Sequence, residues 1–314
     1  MTNPYLEPAR VRAALRSLDL RPTRAMGQNF LLDAAVLGAI VGAAELVPAD
    51  TVVEVGPGLG VLTWELVRRA GRVVSVELDA RLAERLRAEF AGEPGFTLVQ
   101  GDILRQSPEQ LLQNSQEPKN ESQPSPGGSQ FPAPGPRYKV VANLPYAITS
   151  AALRHFLEAA PPPALMVVLV QWEVAERIAA APGDMSVLAH SVQLYAAPEV
   201  IARVPAASFF PAPAVDSAIL RLRIRPQPAA DVPPAALMRL IKAGFLQARK
   251  KLANALPTGL AAIGTPLDKP RALAALAAAG IDPDRRAETL SLAEWARLYS
   301  QLEGAGSEEP GARL

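Results

Sequence analysis

The chain has 314 residues, of which 49% are hydrophobic and 20% charged, a globular composition long enough for about two domains. It contains no Cys, which excludes disulfides, thiolate metal sites and a Cys nucleophile, and its two histidines, His155 and His190, cannot build a multi-His metal centre. Net charge is only +1, so an anionic partner has to be met by a local basic patch rather than by the field of the whole molecule.

The N-terminal stretch MTNPYLEPARVRAALRSLDL has no apolar core of the kind a signal peptide needs. Apolar runs such as ALMVVLV fall far short of the roughly 18 residues that cross a bilayer, so a cytoplasmic protein without membrane association is expected. Residues 1–24 carry Arg10, Arg12, Arg16, Arg21 and Arg24 against Glu7 and Asp19, a small basic arm that reads either as a solvated helix face or as a nucleic-acid contact.

From residue 51 onward, strand and helix patterns alternate. TVVEV (51–55) is a short apolar, β-branched run ending at glycines, and VLTWELVRRA (61–70) follows with helical spacing. RVVSVEL (72–78) is a second strand and DARLAERLRAEF (79–90) a second helix. FTLVQGD (96–102), YKVVANL (138–144) and ALMVVLVQ (164–171) read as strands three to five. Alternation at this spacing predicts βαβ units with right-handed crossovers and a parallel sheet buried on both faces. Residues 113–136, rich in Pro, Gly, Ser, Gln and Asn, have too little apolar content to offset their ordering entropy and are read as a flexible insertion. DSAILRLRIRP (216–226) alternates like an edge strand with Arg221, Arg223 and Arg225 on one face. QPAADVPP then marks a boundary, and residues 234–303 carry only helical patterns. The expected division is a domain over 1–228, a helical domain over 229–303 and a tail over 304–314.

Three strand ends carry the chemistry. The first strand runs into EVGPGLGVLT (54–63), where Gly56, Gly58 and Gly60 allow a tight turn and close approach of a ligand to the main chain. The second ends at Glu77, 21 residues after Gly56, where a carboxylate reaches a ribose diol. The third ends at Asp102, where an acid accepts from an adenine amine. Each acid alone is equally well explained by helix capping; together they outline a nucleoside site. A dinucleotide and S-adenosylmethionine both fit such a site. The third glycine comes one residue too early for the dinucleotide fingerprint, Val61 stands where that glycine belongs, and Pro57 removes an N–H that a pyrophosphate would use. S-adenosylmethionine needs no pyrophosphate donor, so the pattern favours it.

The fourth strand leaves the sheet through Asn143, Leu144, Pro145 and Tyr146, which reads either as an Asn-Pro turn or as a grip on an exocyclic amine. In the second reading the Asn143 side-chain oxygen and the Leu144 carbonyl accept the two amine hydrogens and aim the nitrogen lone pair at a methyl donor. Pro145 stiffens the turn, and Tyr146 offers a stacking face. A base must be swung out of its stack to enter, and Phe209 or Phe210 is placed to close over it.

Taken in order, GQNFL (27–31), EVGPGLGVLT (54–63), VELD (76–79), GD (101–102), NLPY (143–146), QWEVAERI (171–178), FFPAPAVDSA (209–218), FLQARKKLANAL (245–256) and GIDPDRRAETLS (280–291) resemble the KsgA-type rRNA adenine N6,N6-dimethyltransferases. The resemblance runs from about residue 21 to 300 and omits the insertion. It implies a Rossmann-like class I methyltransferase sheet, α/β with seven mostly parallel strands, and a small C-terminal all-helical domain. It also implies S-adenosyl-L-methionine as cofactor and, as partner and substrate, two adjacent adenosines near the 3′ end of small-subunit rRNA in an immature ribosomal subunit. Carried over by position, Gln28, Asn29 and Leu31 line the cofactor, Gly56 and Gly58 hold it, Glu77 takes the ribose and Asp102 the adenine. Asn143 spans cofactor and target, and Phe209 is the stacking aromatic. A monomer without metal is expected.

The chain departs from the family pattern at Ala147, Trp172, Ala214 and Ala248, and in a short loop between Pro182 and Ser186; four of these five departures remove a basic feature of the RNA side. Arg221, Arg223, Arg225, Arg249, Lys250, Lys251 and the N-terminal arm are the candidates to compensate. Rival readings are an Erm-type large-subunit rRNA methyltransferase, a non-catalytic ribosome-assembly factor and an NAD-dependent oxidoreductase.

Overall fold

The structure, a computed structural model, describes residues 3–20, 29–113 and 138–306. The chain forms two compact units, Met1–Ala175 with Glu199–Ile224, and Glu176–Pro198 with Arg225–Leu314. Gln28 and the 113–136 insertion beyond Gln113 lie outside the described residues, as does the tail from 307.

The first unit is built on nine strands: β1 (Phe30–Leu31), β2 (Thr51–Val55), β3 (Arg72–Glu77), β4 (Phe96–Gln100), β5 (Tyr138–Asn143), β6 (Leu165–Gln171), β7 (Ala196–Val204), β8 (Phe209–Phe210) and β9 (Ser217–Ile224). Seven of them form one sheet in the order β4-β3-β2-β5-β6-β9-β7, while β1 and β8 make a separate antiparallel pair. β4, β3, β2, β5 and β6 are mutually parallel, and β9 runs antiparallel to β6. Runs such as Val52–Val53, Val73–Val74, Val140–Val141 and Met166–Val170 are buried on both faces, as an interior parallel sheet requires. β2 pairs with β3 on one side and β5 on the other, so the chain order reverses there. The carboxyl ends of β2 and β5 therefore flank a topological switch point, where open α/β sheets place their ligand crevice.

Two sequence expectations are corrected here. The 217–224 segment is not an edge strand. β9 lies between β6 and β7, and Ser217 through Leu220 are buried, so the strand carries apolar residues on both faces before its arginines begin. The edge is β7, which the pattern did not reveal because Pro198, Glu199 and Arg203 interrupt it. An edge tolerates a proline whose missing N–H faces no neighbour. The second correction concerns the domain division. Residues 176–198 belong to the helical unit, not to the sheet unit as expected for 1–228. His190 explains this: fully buried, it places its two ring nitrogens 2.8 Å from the Ser186 carbonyl oxygen and 3.2 Å from that of Leu290, and it meets the Trp295 ring edge-on.

The helical unit packs Pro234–Phe245, Leu252–Ala262, Lys269–Ala278 and Leu292–Gly306 around Leu240, Ile241, Leu256, Leu276 and Trp295. No described helix is long and apolar enough to cross a membrane. No cluster of three or more His, Asp or Glu able to hold a metal occurs among the described residues.

Candidate active site

A hollow of about 600 Å³ opens at the switch point. Of the residues singled out from the sequence, Asn29, Leu31, Gly56, Gly58, Glu77, Asp102, Asn143 and Pro145 line it. Gly56 and Gly58 hold φ of 62° and 60°, left-handed values that L side chains rarely adopt. A Cβ on Gly58 would stand 3.1 Å from the Phe30 ring, so the loop passes directly beneath that ring.

Glu77 is buried at the end of β3 and braces this loop. Its Oε2 accepts from the Gly58 N–H at 3.1 Å and its Oε1 from the Asp79 N–H at 3.0 Å. Burial pushes its pKa up, against the pull of those main-chain donors. Each carboxylate oxygen retains a second lone pair for a ligand hydroxyl. Asp102 caps the short turn after β4, its Oδ1 accepting from the Leu104 N–H at 3.0 Å, and also lines the hollow. Capping and ligand contact are thus compatible roles for one side chain.

Asn143, the last residue of β5, donates from Nδ2 to the Asn29 carbonyl at 3.0 Å. That bond orients the amide and leaves Oδ1 as its acceptor end. Leu144 buries its side chain and donates its N–H to the Leu169 carbonyl, while its own carbonyl accepts no bond among the described residues. Pro145 faces Gly56, its ring 3.7 Å from where a Cβ on that glycine would stand. Tyr146 is half-buried, and its hydroxyl lies 2.9 Å from the Ser217 hydroxyl, which locks the ring against the start of β9.

Phe209 differs from expectation. It is 4% exposed, paired with Leu31 and packed in the core, and it does not line the hollow. Strand alternation in β8 turns Phe209 inward and leaves its neighbour Phe210 half-buried, with the Arg12 guanidinium 5.8 Å from its ring centre. The basic candidates divide as well. Arg221 is ion-paired with Glu45 and Glu199, and Arg223 with Glu45, so both are already neutralised on their own sheet face. Lys251 pairs with Asp284 at 2.8 Å, whereas Arg249 and Lys250 are exposed and make no ion pair among the described residues.

The sequence reading missed Glu54. This acid is 1% exposed within β2 and lines the hollow. Its Oε2 accepts from Thr63 Oγ1 at 2.8 Å and Ser75 Oγ at 2.6 Å, while its Oε1 is buried without a partner. Burial raises its pKa to about 7. A charged residue inside an otherwise apolar strand was the available signal. Leu78 was also missed. It lines the hollow yet is 72% exposed between Glu77 and Asp79, an apolar surface that a flat ring could cover.

The profile of one family, ribosomal RNA adenine dimethylase, matches residues 21–303. The chain belongs to that family. Other similarities agree with the dimethylase assignment. The chain is 45% identical over 298 residues to a Dehalococcoides mccartyi protein named ribosomal RNA small subunit methyltransferase A, covering 94% of each chain. A protein of the same name from Moorella thermoacetica is 40% identical over 299 residues, covering 94% of this chain and 98% of the relative. Among solved structures, the 23S rRNA methyltransferase ErmE is 30% identical with a TM-score of 0.63, covering 88% of this chain and all of that one. A dimethyladenosine transferase from Plasmodium falciparum, 22% identical with a TM-score of 0.68 and covering 88% and 98% of the two chains, shares the fold.

Proposed function

We propose that this dimethylase transfers methyl groups from S-adenosyl-L-methionine to the N6 amines of two adjacent adenosines in a 3′-end hairpin of small-subunit rRNA, acting as a monomer in the cytoplasm on an immature ribosomal subunit. The observation that carries the reading is the orientation of Asn143. Its Nδ2 is occupied by the Asn29 carbonyl, so Oδ1 is the atom presented for an amine hydrogen.

The residues around the hollow fit the cofactor. Gly56 and Gly58 keep open the space that side chains would fill, and the unpartnered Glu54 Oε1 supplies a buried polar atom beside the loop. Glu77 would hold the ribose hydroxyls, Asp102 the adenine amine and Leu78 a face of the adenine ring. When bound, the cofactor supplies a methyl group made electrophilic by its sulfonium.

The protein's own work is positioning. An adenine N6 is a poor nucleophile because its lone pair is delocalised into the ring. Asn143 Oδ1 and the Leu144 carbonyl accept its two hydrogens, which favours a tetrahedral nitrogen and directs the lone pair at the donor. The Leu144 N–H bond to β6 and the rigid Pro145 keep those two oxygens in register. No general base is required, since the amine becomes acidic as the new bond forms and releases its proton to water.

The Erm-type alternative is disfavoured by the higher identity to proteins named for the small subunit, 45% against 30% for ErmE. Incubating the protein with labelled methyl donor and under-methylated small subunits tests the reading. Label in N6,N6-dimethyladenosine of the small-subunit rRNA is the expected result. Label only in large-subunit rRNA would favour the Erm-type reading, and no label would leave a docking factor.

A further inference from the structure

Trp172 is one of the departures from the family pattern, and the structure brings a cation to it from another strand. β6 ends at Gln171 beside β5, with Leu169 opposite Asn143. Gln171 in turn pairs with Ser217, whose hydroxyl holds the Tyr146 hydroxyl. Trp172 follows directly and donates its main-chain N–H to the Asp216 carbonyl at 3.0 Å. The backbone of Trp172 is therefore anchored at the same carboxyl edge of the sheet as Asn143. Arg203, from β7, lays its guanidinium 4.8 Å from the Trp172 ring centre. Its Nε donates to Asp216 Oδ2 at 2.9 Å, and Asp216 Oδ1 accepts from the Ala206 N–H at 3.0 Å. The Arg203 side chain remains 58% exposed, and its two Nη groups make no hydrogen bond among the described residues.

We propose that Trp172 and Arg203 form a stacking shelf for the nucleotide that flanks the target adenosine. The inference rests on the rRNA methyltransferase reading above and adds a substrate-positioning site to it. An adenosine drawn into the hollow leaves its neighbour without a stacking partner, and that loss opposes binding. A flat indole–guanidinium pair at this edge of the sheet replaces the lost stack without reading sequence, since every base has a π face. Arg203 is held by a carboxylate and an aromatic face, so little side-chain freedom is lost when its Nη groups meet a phosphate. Asp216 is neutralised by the same arginine and does not repel the RNA. A lysine at position 172 would offer charge alone; the Trp–Arg pair offers charge and a plane.

The test uses the full-length protein, labelled methyl donor and under-methylated small subunits, with Trp172→Ala, Trp172→Phe and Arg203→Gln. Trp172→Ala should raise KM for the subunit about tenfold, within the range for losing one base–aromatic stack. kcat should change less than threefold, and calorimetric affinity for the cofactor should not change. Trp172→Phe should recover most of the loss, and Arg203→Gln should raise KM severalfold. In a hairpin RNA carrying 2-aminopurine beside the target, fluorescence should be quenched on binding the wild type and the Phe variant, and not the Ala variant. Unchanged KM and unchanged quenching in Trp172→Ala, with an active wild type, would overturn the shelf and leave the methyltransferase reading intact. Should Trp172→Ala fail to fold, Trp172→Phe and Arg203→Gln decide by the same two readouts. No transfer by the wild type would remove the reading on which the shelf rests, and the shelf with it.

Discussion

Asn143 and Asn29 are 114 positions apart in the chain and 3.0 Å apart in space, joined by a hydrogen bond from the Asn143 amide to the Asn29 carbonyl. This single bond links the segment before β1 to the end of β5. It makes the side-chain oxygen of Asn143 the presented acceptor, because an amide whose nitrogen is engaged can rotate only by losing that bond. The bond therefore acts on geometry before any substrate arrives.

Asn143→Ala removes both the acceptor and the tether. Methyl transfer should fall by about two to three orders of magnitude, the range seen on deleting one preorganised hydrogen-bonding group that faces the reacting atoms. The side chain is only half-buried, so melting temperature should stay within a few degrees of wild type. Turnover assays alongside thermal melts check both statements, and near-normal turnover would remove Asn143 from the mechanism.

Glu77→Ala removes the acceptor of two main-chain N–H groups as well as the proposed ribose contact. Hydrogen bonds to a charged group contribute about 1.5–3 kcal/mol each. Calorimetric affinity for S-adenosylmethionine should drop more than tenfold. Stability should fall too, because the Gly58 and Asp79 N–H groups lose their partner.

Gly58→Ala tests the cradle. A left-handed φ costs a non-glycine residue roughly 1–2 kcal/mol, and the new Cβ would crowd Phe30. Reduced stability and weaker cofactor binding are expected together. Gly38→Ala is the control. Its Cβ would enter open space in the helix Ala34–Ala43, and a gain of about 0.5–1 kcal/mol is expected from helix propensity.

Glu54 predicts a pH dependence with a definite sign. Burial raises its pKa from the ordinary 4.5 to about 7. Between those values the folded chain holds a proton that the unfolded chain has released. Its stabilising contribution is therefore complete below pH 4.5 and is lost as pH rises through about 7. Glu54→Gln keeps an oxygen for Thr63 and Ser75 and cannot ionise. Its unfolding free energy should match wild type near pH 4.5 and exceed it at pH 8 by on the order of 3 kcal/mol. A constant offset across that range would contradict the assignment.

Arg249 and Lys250 are exposed, whereas Arg221 and Arg223 are engaged by Glu45 and Glu199. Replacing Arg249 and Lys250 by Ala should reduce the slope of log affinity for RNA against log salt by roughly 0.7–0.9 for each phosphate no longer neutralised. The same exchange at Arg221 and Arg223 should leave the slope close to wild type, because no counterion-releasing charge is removed.

Much of this was legible before any coordinates. The strands at 51–55, 72–77 and 138–143 announce themselves because parallel strands buried on both faces are continuous β-branched runs. Gly56, Gly58, Glu77, Asp102 and Asn143 were legible because each is polar or glycine at the end of such a run. β7 was not, since an edge strand need bury only one face and tolerates Pro198. Glu54 was passed over as part of an apolar run, although its isolation there was the clue.

What the sequence determines by itself is local: which segments are strands, which strand ends carry polar groups, and through ordered motifs, the family. Tertiary structure alone decides which of those groups meet. It selects Phe210 over Phe209 as the more open ring through one step of strand alternation. It also cancels Arg221 and Arg223 with Glu45 and Glu199, and brings Arg203 over Trp172. The physical reason is that side-chain period and composition are properties of neighbours along the chain. Ion pairing, stacking and burial depend on neighbours across it, and those are set only when the sheet order is closed.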